Sequence, residues 1–92
     1  SDEVYYHLGR LSLFFNKNRN SALKYFIKVT ESENVMSEFS QRSRIELALI
    51  YFEIKNNDNA LNYLSEILNE KINNKYKVEA ENLVEYFNNE IN

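Results

Sequence analysis

Few residues of this chain are equipped for covalent or acid–base chemistry. His7 is the only histidine, and with no cysteine there is neither a thiolate ligand nor a thiol nucleophile. A lone histidine in the first turns of a helical pattern reads as a surface or half-buried residue rather than as a base or metal ligand. Acidic pairs such as Glu79 with Glu81 and Glu31 with Glu33 lie two positions apart. On a helix that spacing turns two carboxylates to different faces, which suits neither an acid–base couple nor a metal clamp. Gly9 is the only glycine, so no glycine-rich loop can cradle a phosphate. No catalytic residue, metal or cofactor is expected, and the chain reads as something other than an enzyme.

Binding chemistry is better represented. Seven tyrosines and six phenylalanines recur at helical intervals, among them Tyr5, Tyr6, Phe14, Phe15, Tyr25, Phe26, Tyr51, Phe52, Tyr63, Tyr86 and Phe87. Core filling between helices accounts for Tyr5, Phe26, Tyr51 and Phe87. The net charge is −3 and the eleven lysines and arginines are scattered, with Arg42, Arg44, Lys71, Lys75 and Lys77 the nearest approach to a cluster. Nucleic-acid binding asks for a basic stripe that neutralises several phosphates, so it is not expected. The fifteen asparagines fall mostly between helices and reflect biased composition.

These side chains need elements to position them, and the punctuation points to helices. The chain of 92 residues has no proline and a hydrophobic content of 43%, which suits one small globular domain. Such a domain buries roughly 60–65% of the surface of its unfolded chain. No apolar run approaches the roughly 20 residues needed to span a bilayer. The chain opens on Ser1 with no signal-peptide pattern, which is the expectation for a processed or excised form.

Val4, Leu8, Leu11 and Phe15 give a first helix with helical apolar spacing, ended by "NKNRN". Ser21 or Asn20 is the expected cap of a second helix running to about Glu31. After "SENVMS", Ser37 caps a third that reaches about Lys55; Asp58 or Asn57 caps a fourth through about Asn69. Asn74 caps a fifth from about Lys75 to Asn88. Connections of about four to six residues make successive helices antiparallel.

The chain also spells one pattern twice. "NSALKYFIKV" at 20–29 returns as "DNALNYLSEI" at 58–67, with Ala22, Leu23, Tyr25, Phe26 and Val29 matched by Ala60, Leu61, Tyr63, Leu64 and Ile67, each 38 positions on. "HLGRL" around Gly9 is echoed by "ELALI" around Ala48. Glycine inside a helix costs about 1 kcal/mol against alanine, so Gly9 implies close approach of its partner helix. The expected contact is small against small, Gly9 to Ala22 and Ala48 to Ala60.

A helix pair with small residues at these positions resembles the tetratricopeptide repeat, whose period is near 34 residues. Tyr5, Leu8 and Gly9, then Ala22, Phe26 and Val29, match its signature in the first unit; Leu47, Ala48 and Tyr51, then Ala60, Leu64 and Ile67, match it in the second. The departures are Ser12 in place of an aromatic, Arg44 at the position of Tyr5, no closing proline, one extra residue between Gly9 and Ala22, and the longer period.

The resemblance implies an all-α fold, a right-handed stack of antiparallel helix pairs. Unit one spans about 2–33, unit two about 37–70, and a capping helix about 75–90 covers the second unit with Tyr76, Val78, Ala80, Leu83, Val84 and Phe87. It further implies a concave groove on the first helices of the units, here Tyr6, Arg10, Leu13 and Phe14, then Arg42, Ile45, Leu49, Phe52 and Glu53. The lysines and asparagines with which some members clamp an acidic C-terminal peptide are absent. Between Ile45 and Ile54 only Glu46 and Glu53 are not apolar, which normally means burial on several sides; Ile45, Leu49 and Phe52 are thus open to a core reading as well as a groove reading.

The function expected is a non-catalytic protein–protein interaction module whose apolar and aromatic groove, edged by Arg10, Arg42 and Glu53, takes a partner helix or extended segment. The alternative is a structural or self-associating segment of a longer helical-repeat protein, forming a homodimer through that groove. Periods of this length are similar to those of bacterial envelope assembly and cell-division-associated repeat proteins, which implies the periplasm, with the cytoplasm the other compartment. The helix pairing has a direct check: Ala60→Leu should cost roughly 1–3 kcal/mol by overpacking, and a thermal midpoint equal to the parent's would overturn the pairing.

Overall fold

Each helix opens on a serine or asparagine whose side chain takes up an otherwise free amide. The computed structural model describes residues 1–32 and 37–91. Among these it holds α1 (Asp2–Phe14), α2 (Arg19–Thr30), α3 (Glu38–Glu53), α4 (Asn57–Leu68) and α5 (Lys75–Ile91), with no strand. The chain is all-α. Glu33, and with it the acidic pair it forms with Glu31, lies outside the described residues. No helix among them is long and apolar enough to cross a membrane.

Two caps differ from expectation in the same way. α2 and α4 open on Asn18 and Asn56, whose Oδ1 atoms accept from the amides of Ser21 and Asn59 at 3.0 and 3.3 Å, rather than on residues 20–21 and 57–58. The reason is the preceding residue. Lys17 and Lys55 adopt left-handed backbone, φ 53° and 68°, and turn the chain so that the next residue, itself outside helical backbone, can cap. The amides of Asn18 and Asn56 close the two turns on the carbonyls of Ser12 and Tyr51, both at 2.8 Å. The two lysines, like the two asparagines, are again 38 apart, so the internal repeat includes its turns. Ser37 and Asn74 cap α3 and α5 as the sequence predicts.

α3 packs against α1, α2, α4 and α5, while α2 also lies on α1, and α4 on α5. Two apolar clusters result. Tyr6, Ala22, Phe26, Val29, Leu47 and Ile50 join α1, α2 and α3; Ile45, Ala48, Ala60, Leu64, Ile67, Ala80 and Phe87 join α3, α4 and α5. Ala22 and Ala60 are both fully buried. Gly9, however, is small for the sake of an aromatic ring: a Cβ there would stand 2.6 Å from Cε1 of Phe26. The glycine makes room for Phe26 rather than for Ala22.

The two departures at Ser12 and Arg44 compensate each other. In the first unit Tyr5 stacks on Tyr25, with centroids 6.4 Å apart. In the second the ring comes from two turns later, and Tyr51 stacks on Tyr63 at 5.9 Å. Arg44, standing where Tyr5 stands in unit one, is buried and sends Nε to Glu66 at 3.0 Å and Nη1 to the carbonyl and hydroxyl of Ser40.

α3 is thus buried over most of its length, with Ser40, Gln41, Ser43 and Arg44 buried in its first half and Ile45, Leu47, Ala48 and Ile50 in its second. α5 covers the second unit through Ala80 and Phe87, with Tyr76, Leu83 and Val84 packed beside them. Val78, assigned to that face from sequence, points outward and is 57% exposed.

Gly9→Ala separates helix propensity from packing. Propensity alone would stabilise by about 1 kcal/mol, but the added carbon meets the Phe26 ring, and overpacking costs about 1–3 kcal/mol. A lower thermal midpoint is expected, and an increase would mean that the ring can yield.

Candidate functional site

The nine residues expected at the groove divide into three groups. Tyr6 and Ile45 are core, only 1% and 4% exposed; this corrects the assignment of Tyr6 to a partner surface and takes Ile45 to the core side of its two readings. The Tyr6 ring packs on Phe26 and Phe39, with centroids 5.9 and 5.6 Å away, because α2 and α3 converge on this side of α1. Ile45 belongs to the cluster shared with α4 and α5. Phe52 is committed as well: it stacks on Phe87 at 4.0 Å with the planes 7° apart, so α5 occupies one of its faces.

The two arginines are half-exposed but engaged. Arg42 places its guanidinium 4.5 Å from the Tyr6 ring centroid and 3.7 Å from Glu38 Oε1. Arg10 donates to the Tyr6 hydroxyl at 3.2 Å, lies 5.0 Å from the Phe14 ring and is 3.7 Å from Glu46. Both guanidiniums hold Tyr6 in place, rather than standing free at a groove edge. The aromatic faces and aliphatic stems make these contacts favourable even where water reaches the charge.

What remains comes together. Leu13 and Phe14 from α1 meet Leu49 and Glu53 from α3 around a recess of about 280 Å³, completed by Glu46 and Ile50. Phe14 and Leu49 are 50% and 41% exposed. They reach solvent because α1 and α3 touch along a short line and their C-terminal halves leave a furrow. Glu53, at the rim, accepts from Arg19 at 2.8 Å, tying the furrow's edge to the start of α2.

Beside it lies a smaller polar cleft of about 150 Å³, between α1, α3 and α5, lined by Tyr6, Arg10, Arg42, Ile45, Glu46, Tyr76 and Glu79. Glu46 is the residue that sequence reading passed over; its signal was a carboxylate inside an otherwise apolar run. Burial pushes its carboxyl above the usual carboxylate range, Arg10 and Arg42 pull the other way, and Glu79 adds to the rise. Tyr76 donates to Glu38 Oε1 at 2.7 Å, and burial together with that bond pushes its hydroxyl up to about 12. Glu79 and Glu81 go to different places, as their spacing requires: Glu79 lines the cleft and Glu81 is exposed. His7 is exposed, edge-on to Tyr6 and 3.9 Å from Glu3. Among the described residues no group of three or more acidic or histidine side chains could hold a metal ion.

Comparison of the chain with protein-family models, with curated proteins and with solved structures gave no match. The site therefore has to be read from its own geometry.

Glu46 gives a pH test. Its folded pKa lies above the unfolded one, so the fold prefers the protonated acid. The charged form removes stability as pH rises through the folded value, and below the unfolded value the penalty vanishes. Glu46→Gln cannot ionise. Its urea midpoint relative to the parent should therefore rise between about pH 4 and pH 7, and a relative midpoint that falls over that interval would overturn the assignment.

Proposed function

We propose that the chain is a non-catalytic protein–protein interaction module related to the tetratricopeptide repeat. On this reading residues 2–33 and 37–70 are two units of a right-handed superhelical stack and the last helix is its cap. Function lies in presenting a preformed surface to a partner helix or extended segment. The observation that carries it is the furrow where Leu13, Phe14 and Leu49 from two adjacent helices expose apolar carbon beside the charged rim of Arg10, Glu46 and Glu53. Its exposed apolar side chains stand on two packed helices, so a partner would dock at little conformational cost. The core of such an interface is typically apolar and its rim polar.

The arrangement of charge refines the reading. Arg10 and Arg42 are held against Tyr6, so affinity would come from apolar contact, with the arginines shaping the wall. Self-association through the same furrow is the second reading, favoured by the same exposed side chains.

Phe14→Glu with Leu49→Glu tests both. Neither residue is in the core, so the helical signal should be kept and the thermal midpoint should move little. Capture of a partner from an extract should fall at least tenfold. Undiminished capture by the folded variant would place the binding surface elsewhere. A parent chain that light scattering shows to be a dimer, and that this variant turns into a monomer, would select self-association.

A further inference from the structure

Three helices carry one stripe, apolar except for Ser43, with the same spacing of four, three and four. It is Val4, Leu8, Leu11 and Phe15 at α1, Ser43, Leu47, Ile50 and Ile54 at α3, and Ala80, Val84, Phe87 and Ile91 at α5. In α3 the stripe shares a cluster with Ala22, Phe26 and Val29 of α2, which leaves Ser43, Leu47 and Ile50 at 0%, 0% and 3% exposure. In α5 it shares a cluster with Ala60, Leu64 and Ile67 of α4, and Ala80 and Phe87 are both at 0%. The fourth position lies at the edge in every case, since Ile54, Ile91 and Phe15 are all exposed. The contrast is at the first and third positions: on α1, Val4 and Leu11 are 54% and 47% exposed. Among the described residues no helix lies over them as α2 lies over α3 and α4 over α5.

The other end of the arrangement differs. Ile45, Ala48 and Phe52, through which α3 joins the cluster with α4, correspond 37 positions on to Asn82, Glu85 and Asn89 of α5, all exposed. Polar residues finish that end, while α1 leaves its end apolar. Leu11 and Phe15, with His7, Arg10 and Phe14, line a recess of about 380 Å³ there.

We infer that the Val4–Leu8–Leu11 stripe is a docking surface for an amphipathic helix of the α2 and α4 kind, supplied by a partner protein. Such a helix carries alanine, a large apolar residue and a β-branched residue at i, i+4 and i+7, as Ala22, Phe26 and Val29 do and as Ala60, Leu64 and Ile67 do. That face is the one the chain itself uses twice to cover the same stripe. A second copy of the chain has none to offer, because its own two are buried to within 2% of complete. The inference does not depend on the furrow between Leu13 and Leu49, which lies toward α3.

The probe is a fluorescently labelled peptide with the sequence of residues 56–70, which contains α4 and its asparagine cap, titrated with the full chain. Saturable binding is expected, at least tenfold weaker to Val4→Glu with Leu11→Glu and unchanged by Leu49→Glu. Both stripe residues are exposed, and Leu11→Ser provides a milder variant should the double one lose its helical signal. Absence of saturable binding to the parent overturns the proposal, as does binding that neither stripe variant weakens. A parent dimer that the stripe variant converts to a monomer also overturns it and assigns the surface to a second copy.

Discussion

Helix α3 touches all four other helices, and the arrangement depends on keeping it enclosed. A helix packed against four others keeps only a narrow wet face, so its buried polar residues need partners within the protein. Arg44 finds Glu66 and Ser40, and Gln41 accepts from the Asn74 side chain at 3.2 Å. That last bond joins the buried start of α3 to the cap of α5, and Tyr76 to Glu38 adds a second link. A buried arginine contributes little net stability, but removing its partner leaves an uncompensated charge at a cost of about 3–5 kcal/mol. The polar half of α3 therefore ties down the last turn of α4 and the start of α5, while the apolar half supplies most of the burial.

The two units follow one plan carried out with different residues. Each needs a ring against the tyrosine of its second helix, and each has one, although it comes from Tyr5 in the first and Tyr51, two turns further along the helix frame, in the second. The turn is conserved more closely than the rings: a lysine at positive φ followed by a capping asparagine, both times. Left-handed backbone costs a non-glycine residue roughly 1–2 kcal/mol. Its use at both turns means that the geometry of the helix pair repays the strain at both.

Charge and exposure divide the α1 side into surfaces of different character. Between α1, α3 and α5 the arginines, Glu46 and the tyrosine hydroxyls neutralise one another in a cleft too small and too polar for an apolar guest. Toward the C-terminal halves of α1 and α3 the lining turns apolar and opens to solvent. Phe14 borders this furrow and the recess on the outer side of α1, so the first helix contributes to both exposed apolar regions.

Helix number, approximate bounds and the caps Ser37 and Asn74 were legible in the sequence, because apolar spacing and capping chemistry are local. So was the reading of Ala22 and Ala60 as packed positions, since alanine recurring at repeat spacing implies close approach, and that of Ala80 on the apolar face of the last helix. The caps at Asn18 and Asn56 were not legible, because several asparagines stand in line and only the left-handed lysine ahead of each selects one. Of the residues expected at the groove, the packed fold gathers Leu13, Phe14 and Leu49 around one recess, puts Tyr6 and Ile45 in the core and stacks Phe52 on Phe87. The sequence by itself leaves Ile45, Leu49 and Phe52 open between core and groove. Adjacent turns of one helix look alike in sequence. Which of them is buried depends on where α2, α3 and α5 land, and that is settled only when the helices pack. Gly9 makes the same point at atomic scale: the sequence says that something must come close, and only the packed fold makes that neighbour the ring of Phe26.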